Sequence, residues 1–243
     1  MELKANEKKS LEITVGENTY CRYAIKTHFV KLNEDYIDII NKYVKPVYEE
    51  GDKISISEKM IALCQNRVVY KDELHVGFWA KFLSRFASKS TAGQGVNNTL
   101  KMAYCIQKTG LLKTIYAAIC SAIGKIFGKK GIFYKIVGRD VAGLDGFYSN
   151  VFEEYGNYGI ENPDKPYDVC REIEEKTKIP CMIVDANDLG QDLLGYSPKM
   201  KQELTEQEML EIIKDNPAGQ GKELTPIILI RKKYNIKIKE KVG

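Results

Sequence analysis

The chain has 243 residues, 44% of them hydrophobic, and a formal net charge of +4, which is enough apolar surface for a packed core and excludes a disordered chain. Six scattered cysteines, with no CxxC pair and no neighbouring histidine, argue against a disulfide scaffold and a zinc site. They read as reduced, mostly core thiols of a cytoplasmic protein, and the opening MELKANEKKS has no apolar stretch of a signal peptide.

The charge is unevenly spread. Residues 81–139 hold eleven basic side chains and no acidic one, whereas residues 140–215 carry a net charge of −11. Two readings follow. The basic segment holds a polyanion while the acidic one holds a divalent metal, or the two pack together and neutralise each other.

In chain order, short apolar runs over 10–30 predict strands, and Asn33 is a candidate N-cap for a helix over about 34–45 that carries Tyr36, Ile37, Ile40 and Val44 on one stripe. Gly51-Asp52 reads as a turn before a short strand over 53–56, and Glu58 and Lys59 open a buried element over 60–64. Helices are predicted over about 97–108, stopping at Gly110, and over about 111–127, stopping at Gly128. The second carries Leu112, Ile115, Ile119, Ile123 and Ile126 at helical spacing. It is too short, and with Lys113 and Lys125 too charged, to span a membrane, so it reads as a packed amphipathic helix, with a membrane-surface helix as the second reading. A helix over 166–178 precedes the apolar run 179–184, a strand buried on both faces that ends at Asp185-Ala186-Asn187-Asp188. Thr205 and Glu208 form a capping box for a helix to about Lys214, residues 226–230 read as another buried strand, and the tail from Arg231, with Ile236 and Ile238 between lysines, reads as an exposed edge strand. Strands and helices mix without a steady βαβ rhythm, so the fold class is α+β: mixed sheets with packed helices.

Asp185 stands at the end of a buried strand, where ligands of α/β-type sheets sit, with Asp188 and Asp192 behind it; clustered carboxylates suit Mg²⁺ or Mn²⁺. Solvated aspartates of a turn are the alternative. Asp145 lies between Gly143 and Gly146, glycines that permit close backbone approach to a ligand or simply a tight turn. Ala-Gly-Gln-Gly occurs at 92–95 and 218–221, and such loops expose amides to phosphate oxygens, although neither copy is a Walker motif. His28 and His75 are the only histidines, and no Ser-His-Asp arrangement is legible.

Taken in order, five segments resemble the coenzyme F420-0:γ-glutamyl ligase family: residues 26–31, residues 51–59 with Gln65-Asn66-Arg67-Val68, residues 142–146, residues 183–187, and Ala218-Gly219-Gln220-Gly221 before Thr225-Pro226. The likeness spans about residues 22–232, and the basic block from Phe82 to Tyr134 resembles the longer bacterial branch. The resemblance implies one ligase-like domain over 1–243, with a basic helical insertion at about 78–137, in an intertwined homodimer. It also implies a GTP-dependent ligase that phosphorylates a carboxylate, which the amino group of L-glutamate then attacks to give a γ-glutamyl amide. By the same resemblance, Asp145, Asp185 and Gln220 hold Mg²⁺ or Mn²⁺. His28, Phe29, Val30, Lys31, Glu58, Lys59, Asn150, Gly219 and Gly221 contact the nucleotide. An amino-acid ligase with a different acceptor, and a non-catalytic nucleotide- or polyanion-binding protein, are the alternatives; a nucleic-acid partner is not expected, because residues 81–139 have few arginines and no binding motif.

Overall fold

A computed structural model describes residues 2–87, 95–147, 153–187, 190–219 and 223–233. The strands are β1 (Glu12–Val15), β2 (Asn18–Ile25), β3 (Lys53–Ser57), β4 (Val68–Tyr70), β5 (Asp145–Gly146), β6 (Tyr158–Ile160), β7 (Cys181–Asn187), β8 (Gly190–Tyr196) and β9 (Ile227–Lys233). The helices are α1 (Tyr36–Tyr43), α2 (Glu58–Cys64), α3 (Phe78–Phe86), α4 (Thr99–Thr109), α5 (Leu111–Ile126), α6 (Ile132–Val137), α7 (Arg139–Ala142), α8 (Pro166–Thr177), α9 (Pro198–Glu203) and α10 (Glu206–Ile212). The fold is α+β, as expected. It divides into two compact units: one made of residues 1–64 and 165–243, the other of residues 65–164.

The first unit is built on a six-stranded sheet of order β1-β2-β9-β3-β7-β8, in which β3 and β7 are parallel and every other pair is antiparallel. Residues in register share a face of the sheet. Ile25, Ile54, Ile56, Cys181, Ile183, Ile227 and Leu229 therefore line one face, and α2 and α8 pack on it through Met60, Ile61 and Ile173. Met182, Val184, Ile228 and Ile230 line the other face, packed with Met200 of α9 and Met209 and Ile212 of α10. The run 181–184 is buried on both sides because both faces are covered.

Two local expectations are corrected here, at the α1 cap and at Asp185. The cap of α1 is Asp35, whose side chain accepts the Ile37 N–H at 2.7 Å; Asn33 instead takes a left-handed turn with φ +61°. Asp185, Ala186 and Asn187 belong to β7 rather than to a turn, and β8 returns beside them with Asp185 opposite Asp192. Residues 227–230 of β9 run between β2 and β3, and only Arg231–Lys233 pass beyond β3 with β2 alone as neighbour; Ile236 and Ile238 lie outside the described residues. The capping box at Thr205 and Glu208 is present, with the two reciprocal bonds at 3.2 and 2.8 Å.

The second unit joins helices α3 to α7 to a small antiparallel sheet of order β4-β6-β5. Its core includes Leu74, Met102, Tyr104, Cys105, Phe133 and Val141. The helices over 97–108 and 111–127 form close to their expected bounds, with Asn98 capping α4 and Gly128 at φ +71° after α5. The buried side of α5 is not the isoleucine stripe. Thr114, Ala117 and Gly124 face inward, while Leu112, Ile119, Ile123 and Ile126 are exposed. α5 and α6 approach closely here: a Cβ on Gly124 would lie 2.1 Å from Cδ1 of Ile132, which would have to move to admit it. Within this unit Lys108 of the basic segment pairs with Glu161 at 3.4 Å and Asp140 at 4.0 Å. No helix among the described residues is long and apolar enough to cross a membrane.

Candidate functional site at one end of the six-stranded sheet

The strand directions bring separate parts of the chain together. Ile25, the last residue of β2, and Ile56 of β3 both pair with Ile227, the first residue of β9, and Ser57 pairs with Val184, one residue before Asp185. Residues 26–31, the pair Glu58 and Lys59, Asp185, and the loop entering β9 thus all leave from one end of the sheet. With neighbouring strands about 4.8 Å apart, the three intervals from β2 to β7 span about 14 Å.

A carboxylate holds the first of these segments. Glu34 accepts from Nε2 of His28 at 2.6 Å and from the Lys31 N–H at 2.7 Å, while Nδ1 of His28 meets the Tyr43 hydroxyl at 2.8 Å. Both ring nitrogens of His28 are therefore spent inside the protein, and the ring shapes the turn. Val30 is buried, Phe29 half-buried and Lys31 exposed. The turn is tied to its neighbours by the Thr27 N–H on the Leu224 carbonyl at 2.8 Å and the Asn33 N–H on the Leu63 carbonyl at 3.1 Å. Burial works to raise the Glu34 carboxyl, but the Lys31 amide and His28 outweigh it and hold the group below the usual glutamate range. The clamp therefore contributes fully above the unfolded value, near 4.5, and its contribution drains as pH falls through the lower folded value. Glu34→Ala is expected to cost about 1–2 kcal/mol at pH 7 and progressively less as pH falls through the folded value, flattening the acid limb of a melting-temperature profile against pH.

The loop before β9 is braced from the far end of the sequence. Asn6 donates from Nδ2 to the Ala218 carbonyl at 2.8 Å and to the Thr225 hydroxyl at 3.0 Å, and Thr225 donates to the same carbonyl at 2.8 Å. Gly219 has φ +76°, and a Cβ there would lie 2.8 Å from Asn6 Nδ2; the position requires glycine for its backbone and for the room. Gln220 and Gly221 lie outside the described residues.

Asp185 is half-buried in β7 and directly opposite the exposed Asp192 of β8, on the helix α2 and α8 face of the sheet. Like charges in register repel across a strand pair, and carboxylate oxygens are the donors that Mg²⁺ and Mn²⁺ prefer. Asp188 lies outside the described residues, and among the described residues no group of three or more His, Cys, Asp or Glu is gathered as a metal site. Asp192→Asn is expected to stabilise the metal-free protein by about 0.2–1 kcal/mol, read as a higher denaturation midpoint.

Glu58 and Lys59 are half-buried at the start of α2. Burial pushes the Cys64 thiol at the other end of that helix up to about 12, so this thiol stays protonated near neutral pH and is not an activated nucleophile.

Asp145 belongs to the second unit, where it opens β5 and accepts the Gly146 N–H at 2.9 Å. Its flanking glycines serve the fold. A Cβ on Gly143 would lie 1.8 Å from Asn162 Oδ1, and one on Gly146 would lie 2.6 Å from the Tyr158 carbonyl. Asn150 lies outside the described residues. Sequence reading passed over Glu34, Tyr43 and Asn6, whose roles appear only once distant segments meet. The search for known relatives found no family model and no curated protein that matches the chain.

Proposed function

We propose that the chain is a GTP- and divalent-metal-dependent ligase that phosphorylates a carboxylate acceptor and joins it to the amino group of L-glutamate, in the manner of the coenzyme F420-0:γ-glutamyl ligase family. One observation supports the reading above the others: segments 26–31, 58–59, 185–187 and 223–226, separated by up to two hundred positions in the sequence, converge on a single end of one sheet. Loops at the carboxyl ends of strands are where such sheets bind ligands.

In this reading Asp185 would help to hold Mg²⁺ or Mn²⁺, which supplies positive charge beside the phosphates when bound. The chain's own contribution is positioning. The Glu34 clamp presents the backbone of residues 28–31, with Lys31 exposed beside it, the Asn6 brace sets the approach of Gly219, and Glu58 and Lys59 would add nucleotide contacts. The γ-phosphoryl group passes to the acceptor carboxylate, the glutamate nitrogen forms the new C–N bond, and inorganic phosphate and a proton leave. The family resemblance also carries an intertwined homodimer, of the kind that buries on the order of 2,000 Å² or more.

The test is incubation with GTP or ATP, Mn²⁺ or Mg²⁺, L-glutamate and a panel of carboxylates, following phosphate release and a mass gain of one glutamyl unit. Nucleotide-dependent formation of an amide is expected, with light scattering giving a dimer mass at low micromolar protein. A protein that binds neither nucleotide with either metal is not this ligase.

A further inference from the structure

Two helices of the second unit leave apolar stripes in water. On α5, Leu112, Tyr116, Ile119, Ile123 and Ile126 follow one another at alternating steps of four and three residues, and Leu112 and Ile126 are 85% and 81% exposed. On α3, Phe78, Trp79, Phe82 and Phe86 are exposed and stack along the helix, with ring centroids 5.8 Å apart for Phe78 and Phe82 and 5.1 Å for Phe82 and Phe86. The two helices pack on the same unit and on each other. Large apolar side chains exposed in rows mark a surface that another body covers.

The charge around the stripes identifies that body. Lys81 and Arg85 on α3, Lys113 and Lys125 on α5, and Lys129 and Lys130 just beyond it are all exposed, and no acidic residue occurs between positions 81 and 139. A second copy of the chain, docked through the same face, would bring these six positive charges against six more. The stripe on α5 also covers about two heptads, short of the three or four that sustain a coiled coil. Aromatic and aliphatic side chains bordered by lysines, on a helix too short to span, are instead the composition of a helix that lies in the headgroup layer. We propose that α3 and α5 dock the protein on an anionic lipid surface, burying the exposed stripes among the acyl chains while the lysines meet lipid phosphates. This docking is independent of the ligase reading.

Trp79 is the only tryptophan of the chain, so its emission reports the docking directly. With vesicles of phosphatidylglycerol mixed with phosphatidylcholine, the full-length protein should float with the lipid and the Trp79 emission should shift to the blue. With phosphatidylcholine alone it should do neither. Ile119→Asp with Ile123→Asp changes exposed positions, keeps the fold by circular dichroism, and should abolish flotation. Lys129→Gln with Lys130→Gln should weaken binding roughly thirtyfold, and added salt should weaken wild-type binding in the same direction. The proposal is overturned if the wild type stays off anionic vesicles, if it binds neutral vesicles equally well, or if the aspartate pair leaves binding unchanged. Loss of a dimer in the aspartate pair, with a wild type that ignores vesicles, would assign the face to a second copy.

Discussion

Replacing Arg22 with alanine is expected to lower stability by about 3–5 kcal/mol, the largest single loss foreseen for the first unit. Arg22 sits in β2 with 1% of its surface exposed, and its guanidinium donates to the Ser10 carbonyl at 2.8 Å, the Ile212 carbonyl at 2.9 Å and the Asp215 carboxylate at 3.0 Å. One side chain therefore fastens the N-terminal segment, the end of α10 and the approach to the loop before β9. Removing it strands two carbonyls around a cavity and leaves the partly exposed Asp215 carboxylate without its guanidinium, which costs more than the pair itself contributes. Arg22→Met fills the space yet leaves the same acceptors unmet, so it should recover only part of the loss. Burial raises the Asp215 carboxyl, but its bonds to Arg22 prevail and hold it below the usual aspartate range. The pair's contribution is therefore complete above the unfolded value, near 3.8, and is lost as pH falls through the folded one. Chemical denaturation at pH 7 measures the difference; a cost below about 1 kcal/mol would mean that the guanidinium is held no better than one on the surface.

What could be read in advance followed from local pattern. The run 181–184 announces a strand covered on both faces because four apolar residues in succession can be satisfied only there, and Thr205 with Glu208 announces a helix start because the reciprocal bonds need nothing beyond that turn. The edge β8 escaped notice because only Leu193 and Leu194 break its polar and glycine-rich sequence. The packing side of α5 was misread for a different reason. Hydrophobic stripes point to a core by default, whereas α5 packs through its small residues Thr114, Ala117 and Gly124 and leaves the large side chains outside. At the sheet end, Asp185 and the glycine loop stood out in the sequence. The order β2-β9-β3-β7 that brings them together did not, since pairings between distant segments leave no local trace. The Glu34 clamp was equally silent, because a glutamate beside a candidate cap is ordinary until His28 and the Lys31 amide are seen to converge on it.

The two aspartates at that sheet end should separate in function. Asp185 projects from β7 beside the end of β3, whereas Asp192 lies one strand further out on β8, the edge of the sheet, and is exposed. On the ligase reading, Asp185→Asn removes a charge that opposes the field of the phosphates only through the cation it helps to hold, and phosphate release should fall roughly a hundred- to thousandfold. Neutralising Asp192 relieves the cross-strand repulsion and should raise the denaturation midpoint of the metal-free protein. Only Asp185→Asn should lose the stabilisation that Mn²⁺ with GTP gives by mass action. A thermal-shift series with and without Mn²⁺ and GTP, run beside the turnover assay, distinguishes the possibilities. If both variants keep activity and ligand response, the carboxylates do no more than repel across β7 and β8, and the cation lies elsewhere. If both lose them equally, the pair acts as a single site and Asp192 belongs to it. Loss confined to Asp185→Asn ties the chemistry to the inner strand, where the four converging segments meet.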